Sequence, residues 1–452
     1  MISGPLFKNI VAFAIPVILG GWMQLLFHAA DVVVIGQFCG SASVGAMGAT
    51  GAISNLIVNL FMGLSAGVTV TVANAAGSRD DDVIQKAAHT AIMTAIIGGL
   101  LVAAIGVPIS KTLLRLMDTP VGVIDKSAVY MRIILGGNVF SLLYNFGAAI
   151  LRATGDSRRP LMFITVSGAL NVVLNLFFVL VLHMDVAGVA LATVISNAIS
   201  AFLVLRSLAR RTDACRFMIS RLRIHKASFK KILRIGIPSG IQGSLFSISN
   251  VVIQSSVNSF GEAMMSANTA AGNINGFMAT AVTGFGTAAI NFTGQNMGAK
   301  KYHRVRKVIF TCLKISAVLG FVLGIGTYIF GRPLLSIYIT DSAQAIAYGC
   351  VKLKFMCLPY TLYAVYDVFS ASLRGLGKSA LAMSISLCCI CLARVVWIYT
   401  VFAHFHTPET LYLSYPVTWF ITAVTMGVAV LLSLRKIPKE DMDTQTLQAQ
   451  NA

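Results

Sequence analysis

Charge is what this sequence has least of. Only 11% of its 452 residues are Asp, Glu, Lys or Arg, against about a quarter in a soluble domain, which excludes an ordinary soluble globular protein. Acids are scarcer than bases: 16 Asp and Glu stand against 35 Lys and Arg, a net charge of +19. A basic balance of that size suggests nucleic acid. Here, however, the cations sit in loops between apolar runs and not on a soluble domain, so no nucleic-acid partner is expected. The eight cysteines lack disulfide or zinc spacing. The stretch "CCIC" (Cys388, Cys389, Cys391) reads as small polarizable packing residues, with a metal site as the competing reading. The start, "MISGPLFK", has no basic n-region and no small-residue cleavage site, so the first span reads as an uncleaved signal-anchor.

What is present is apolar sequence, 56% of the chain, in runs long enough to cross a bilayer. They lie near residues 9–36, 46–74, 88–116, 128–151, 160–183 and 187–208, and then 229–258, 264–292, 305–330, 347–373, 379–402 and 411–434. The expectation is an all-α polytopic membrane protein of 12 transmembrane helices, in contact with the lipid bilayer over most of its length. Loops after the even-numbered spans are basic: Arg79 and Lys86; Arg152, Arg158 and Arg159; Lys300, Lys301, Arg304 and Arg306; Arg374 and Lys378. The linker "RSLARRTDACRFMISRLRIHKASFKKILR" holds ten Lys and Arg against one Asp. The opposite loops, such as "CGSASVG" and "HMDVAG", are short and poor in cations. Lys/Arg bias marks the cytoplasmic side, so both termini are placed inside a plasma (inner) membrane.

The chain repeats itself. "FKNIVAFAIPVILGG" (7–21) lies over "FKKILRIGIPSGIQG" (229–243) at an offset of 222 residues, and the same offset carries "ILRATGDS" (150–157) onto "SLRGLGKS" (372–379). Six crossings is an even number, so both copies insert with the same orientation, as parallel transporter repeats do. The expected domains are an N-lobe at 1–208, a basic cytoplasmic linker at 209–228, a C-lobe at 229–435 and a polar tail at 436–452. Two pseudo-symmetric six-helix lobes would carry the substrate path between them.

Candidate site residues follow from polar groups in these apolar runs. Gln24, His28 and Asp31 stand at i, i+4 and i+7 and share one face of the first span. Asp31 is either an intramembrane acid, functional by default, or close to the outer water, roughly 30 Å along the helix from Ile10. Asn171 and Asn175 share a face of the fifth span, and Thr193 stands in the sixth. One carboxylate with amide and hydroxyl oxygens suits a hard monovalent cation or a proton; hydrogen bonding between neighbouring helices is the equal alternative. Thr280, Thr283, Thr287 and Asn291 form a stripe in the eighth span, and Asn250, Gln254 and Asn258 one in the seventh. Both read as substrate-path lining or helix-packing glue. Asp367 is the other buried acid, with Asn145 as its counterpart in the first repeat and Arg394 as a potential neutralising partner.

The order of "IP" and "ADVVVIG" in the first span, "LRATGDSRRP" after the fourth, "LNVVLN" in the fifth and "LRGLGKS" after the tenth resembles the multidrug and toxic compound extrusion (MATE) family over about residues 5–435. The resemblance implies a V-shaped pair of six-helix lobes alternating between inward- and outward-open states. It also implies export of amphipathic, often cationic compounds in exchange for Na+ or H+, with no cofactor and no metal other than a Na+ at the cation site. Carried over residue by residue, that site falls on Asp31, Asn171, Asn175 and Thr193. In the DinF-like subgroup the last of the span 5 ligands is commonly Asp, whereas here it is Asn175. The NorM-like subgroup places acids in the seventh and tenth spans; the seventh has none here, and Asp367 stands about one helical turn from the tenth-span position. Gln24, His28, Asn145, Thr283, Thr287 and Asp367 are carried as substrate-path candidates. The partners expected are a small-molecule substrate and a coupling cation, and a monomer is sufficient.

Two other readings stay open. A flippase for a lipid-linked precursor belongs to the same broad superfamily, but such chains often have fourteen spans and more cationic cavities. A membrane-embedded enzyme would need a nucleophile with a base or a metal cluster, and His28 with Asp31 is the only close pair. A channel would show charged rings or a filter sequence.

Overall fold

A backbone in a bilayer must satisfy its own hydrogen bonds, and helices do this locally. The computed structural model describes residues 1–117, 119–340, 342–438 and 441, and among these it is all helix and loop, with no strand. The helices are α1 (Leu6–Phe38), α2 (Ser41–Ser78), α3 (Asp81–Leu116), α4 (Val121–Gly136), α5 (Asn138–Ala153), α6 (Arg158–Leu176) and α7 (Asp185–Ala209). Then come α8 (Lys226–Asn258), α9 (Glu262–Gly298), α10 (Tyr302–Ile329), α11 (Gly331–Tyr338), α12 (Ala343–Cys357) and α13 (Tyr360–Gly375). The last three are α14 (Ser379–Ser386), α15 (Ala393–Trp397) and α16 (Pro408–Arg435). Most of the tail expected from 436 lies outside the described residues.

Among the described residues, eight helices are long and apolar enough to cross a bilayer, or nine if α4 and α5, bent by 43°, form one span. The three further spans expected from sequence fall on α8, α9 and the α12–α13 pair. Helices α8 and α9 carry many hydroxyl and amide side chains, and α12 and α13 are each short and broken at Leu358–Pro359.

The repeat holds at the level of elements. Moving α5 on by 222 positions gives the first and last positions of α13, and α4 moved likewise starts where α12 starts. The break between each pair is made by Gly137 in one copy and by Pro359, its counterpart, in the other. Both α5 and α13 end in a left-handed glycine, Gly155 at φ 101° and Gly377 at φ 78°. Asp156 N–H then closes onto Leu151 O at 2.9 Å, and Lys378 N–H onto Leu373 O at 2.8 Å, the six-to-one bond of a glycine-capped helix end. The motifs "LRATGDS" and "LRGLGKS" are therefore helix stops.

Contacts divide the chain into two compact units, unit I (Leu19–Gly236) and unit II (Met1–Ile18 with Ile237–Ala452). This partition differs from a cut in the basic linker, because the first helix of each repeat passes from one unit to the other near its proline (Pro16 in α1, Pro238 in α8). The start of α1 packs in unit II: Phe13 meets Phe292 edge-on at 5.8 Å, and a Cβ on Gly284 would fall 2.3 Å from Ile18 Cγ1. The start of α8 packs in unit I, where a Cβ on Gly67 would fall 2.4 Å from Ile232 O. The linker docks on α3 in the same unit. Met218 N–H donates to His89 Nε2 at 3.1 Å and His225 N–H to Thr90 Oγ1 at 3.1 Å.

Candidate functional site

The site is assembled from α1, α6 and α7 inside unit I. Helices α1 and α6 run alongside each other in parallel: Gly20 faces Leu161 and Ile164, Phe27 faces Gly168, and Asp31 reaches Asn175. The closest point is Gly168. A Cβ there would lie 1.9 Å from Phe27 Cε2, so only glycine lets the ring lie against the α6 backbone. Four residues on from Phe27 and seven on from Gly168, Asp31 and Asn175 meet on the same faces. On the other side, Ser200 Oγ of α7 donates to Ser167 Oγ at 2.5 Å.

Within this frame three side-chain bonds make a chain. Asn175 Nδ2 donates to Asp31 Oδ1 at 2.5 Å and lies 3.3 Å from Asn171 Oδ1, while Asn171 Nδ2 donates to Thr193 Oγ1 at 3.4 Å. Thr193 hands its own proton to Val189 O at 3.0 Å. Asp31, Asn171 and Asn175 are all buried, so the acid lies inside the unit and not in outer water. Asn175 Oδ1 is buried and accepts no hydrogen bond among the described residues. An orphaned oxygen beside a carboxylate, with further amide and hydroxyl oxygens near, is a donor set that suits a hard cation. Directly beyond Asn175 the helix widens into a π-helical stretch, Phe177–Val181, a feature common at functional sites. Gln24 and His28 share Asp31's helix but are exposed and make no bond to the chain of four.

The other candidates lie elsewhere. Asn145 spends its amide on Ser141 O at 2.8 Å, one turn back on α5. The hydroxyl stripe of α9 is largely bonded to its own helix: Thr280 to Gly276 O at 2.8 Å, Thr287 to Thr283 O at 3.0 Å, and the Asn291 amide to Thr287 O at 2.8 Å. Thr283, which is exposed, is also hydrogen-bonded to Tyr363.

Asp367 of α13 packs its Oδ2 against Gly286, where a Cβ would come within 2.4 Å, and that oxygen has no hydrogen-bond partner among the described residues. Arg394 does not neutralise it. The guanidinium donates to Thr418 Oγ1 at 3.4 Å and stacks 4.2 Å over the Tyr415 ring, because an aromatic face and a hydroxyl on α16 are nearer than the acid on α13. Around Asp367 the rings of Tyr360, Tyr363, Tyr366 and Trp419 pack at 5.0–6.0 Å between centroids. Gly168 and Phe27 are not among the residues that the sequence marks as candidates. The small-residue run "SGA" just before "LNVVLN" is the signal that points to a close helix approach.

A family model described as MatE matches residues 16–177 and 238–400. The chain is 29% identical over 387 residues to the probable multidrug resistance protein YpnP of Bacillus subtilis (strain 168), covering 85% of this chain and 86% of that protein. It is 28% identical over 379 residues to the probable multidrug resistance protein YoeA of the same organism, covering 82% and 81%. Among solved structures, the outward-facing conformation of a multidrug resistance MATE family transporter of the MOP superfamily superposes with a TM-score of 0.91 at 21% identity, covering 97% of this chain and 98% of that one. That likeness shows the twelve-helix, two-lobe fold expected from the hydropathy runs and the repeat.

Proposed function

This chain belongs to the MatE family, a family of multi-pass membrane transporters and not of enzymes, and from that premise we propose that it is a secondary active antiporter. It exports amphipathic drugs or toxic metabolites, cations among them, in exchange for Na+ or H+. The coupling ion binds at Asp31, with Asn171, Asn175 and Thr193 supplying neutral oxygens. An ion gradient drives export only if the ion binds one conformation better than the other, and Asp31 is the group whose charge makes that difference. The observation that carries this reading is the buried chain from Asp31 through Asn175 and Asn171 to Thr193. The coupling ion is cargo, no cofactor is required, and a monomer suffices. Placement in the inner plasma membrane with both termini in the cytoplasm is part of the same proposal, motivated by the basic loops.

The test is efflux of ethidium from cells stripped of their own pumps, comparing wild type with Asp31→Asn, with and without sodium. Sodium-stimulated efflux that the variant lacks would name sodium as the coupling ion. Loss of efflux independent of sodium would point to protons. Wild-type coupled efflux in Asp31→Asn would sink the assignment. A well-expressed wild type that moves no ethidium would favour a narrower substrate or a lipid-linked one.

A further inference from the structure

The amide stripe of α8 takes no part in the cation site. It leads instead to a buried lysine. Lys352 of α12 is 5% exposed, and its ammonium donates to the Asn268 backbone oxygen at 2.9 Å and to Asn268 Oδ1 at 2.8 Å. Asn268 passes its own amide to Gln254 Oε1 at 2.7 Å, and Gln254 donates to Asn258 Oδ1 at 2.8 Å. Tyr412 of α16 donates its hydroxyl to Asn268 Oδ1 at 3.3 Å, and its ring centroid lies 5.9 Å from the ammonium. Every member belongs to unit II. The chain grades from buried Lys352 through half-buried Asn268 and Gln254 to exposed Asn258, a polar route from the surface to the ammonium.

The charge on Lys352 is not balanced. None of the five ion pairs among the described residues includes it, and both of its acceptors are neutral. An ammonium has three N–H donors, and the two bonds to Asn268 leave one over. An unpaired cation held inside a membrane bundle is costly and calls for a reason. The repeat shows that the fold does not require it, since the counterpart of Lys352 in the first copy is Tyr130. The counterpart of Asp31 is Ile253, packed in the apolar cluster that holds Tyr412. Corresponding regions of the two copies thus carry opposite charge, an acid in unit I and a base in unit II.

We propose that Lys352, Asn268 and Gln254 form a binding site for an oxyanion, a carboxylate or phosphate group carried by an exported compound. The proposal rests on the exporter reading above and extends its substrate class from cations to amphipathic anions and zwitterions. An entering oxyanion replaces Asn268 Oδ1 as the acceptor of the ammonium and takes up its third N–H. It also frees the Tyr412 hydroxyl, and it gains an amide N–H when the Asn268 side chain turns. Ammonium, amide and phenol are all donors, and charge-assisted bonds of this kind are the strong ones.

The experiment uses purified wild type, Lys352→Met and Lys352→Arg in phosphatidylcholine nanodiscs, titrated with 5-carboxyfluorescein and with ethidium by fluorescence anisotropy. Lys352→Met is expected to weaken carboxyfluorescein binding by about tenfold or more while ethidium binding stays within about twofold, and Lys352→Arg is expected to keep most of the carboxyfluorescein affinity. A second arm replaces part of the lipid with phosphatidylglycerol. If a lipid phosphate is the occupant, that lipid raises the melting temperature of wild type and competes with carboxyfluorescein, and both effects vanish in Lys352→Met. The proposal is overturned if wild type binds carboxyfluorescein no better than Lys352→Met does and shows no Lys352-dependent response to phosphatidylglycerol. It is equally overturned if Lys352→Met loses both probes together with its melting temperature, since Lys352 would then be a structural tether. Lys352-dependent binding in a protein that exports neither probe from cells would leave the site standing and count against the multidrug-export reading instead, in favour of a narrower or lipid-linked substrate.

Discussion

Asn175 donates its side-chain amide to Asp31 Oδ1 at 2.5 Å, joining two helices whose partners stand 144 positions apart. The bond uses the nitrogen of the amide and leaves its oxygen buried and without a donor. Asn175→Leu removes both functions and should lower cation-coupled efflux by about tenfold or more, the scale of one lost hydrogen bond to a charged group. Asn175→Asp exchanges the N–H for a second anionic oxygen. It should keep coupled efflux and reach half-maximal rate at a lower cation concentration. Efflux titrated against sodium and against pH in the two variants checks both statements.

The approach of Phe27 to Gly168 sets the register that brings this pair together. Gly168→Ala places a methyl group inside the Phe27 ring's space, and overpacking of this kind costs about 1–3 kcal/mol. The variant should melt earlier and lose coupling. Phe27→Ala introduced into Gly168→Ala should restore part of both, because the clash has a single partner. Melting temperatures and efflux for the two single variants and the double variant make the comparison, and strictly additive losses would show that the contact does not set the register.

Gly155 and Gly377 test the helix stops without any clash. A Cβ at either position meets nothing within 4 Å, so the whole cost of Gly155→Ala or Gly377→Ala is the left-handed backbone, about 1–2 kcal/mol. Asn at the same positions should cost less than Ala, since it tolerates this conformation. Thermal unfolding of the four variants, ranked against wild type, checks the order.

The docked linker carries a pH dependence of known sign. Arg211 Nε donates to Asp213 Oδ1 at 2.9 Å and to Oδ2 at 3.0 Å, its Nη2 also reaches Oδ2, and Cys215 N–H donates to Oδ1 at 3.2 Å. Arg211 Nη1 further ties the linker to Thr154 Oγ1 at 3.1 Å. These bonds, the guanidinium's above all, hold the Asp213 carboxyl below its ordinary 3.8 despite partial burial. A depressed folded-state value stabilises fully above the unfolded value and is lost as pH falls through the folded one. The difference in melting temperature between wild type and Asp213→Asn should therefore be constant from about pH 5 upward and close at lower pH. Asp213 is half exposed, so the full difference is worth at most about 1 kcal/mol. A difference that opened as pH fell would contradict the assignment.

How much of this was legible in the sequence depends on the range of the interaction. The apolar runs and the 222-residue offset are properties of the chain itself, and they predicted a polytopic helical fold built as a repeat; that the repeated "LRATGDS" and "LRGLGKS" are helix stops came from the structure. Asp31, Asn171, Asn175 and Thr193 were legible as candidates, since helical spacing puts Asp31 on a polar face of its helix and Asn171 with Asn175 on one face of theirs, and the family resemblance groups the four. Their partners were not legible, because which face meets which neighbour depends on packing. Arg394 shows the difference: opposite charge in the next span made it a potential partner of Asp367, and packing gave it Thr418 and Tyr415 instead. The hydroxyls of α9 read as lining or as glue, yet most turn back to the preceding turn of their own helix. The burial of Lys352 is not legible in the sequence because a lysine at the end of a span usually reaches water, and here α9 and α16 pack against it.

The sequence by itself determined that this chain is a membrane protein built twice from one six-helix plan, with a single acid in the first span of the first copy. Hydropathy and periodicity act along the chain, and no folding is needed to read them. Only the tertiary structure decided that Asp31 faces Asn175, that Gly168 admits Phe27, that the first helix of each repeat is shared between the units, and that Lys352 is buried beside neutral amides. Those outcomes depend on which surfaces come within bonding distance, and a one-dimensional pattern does not specify distance between helices.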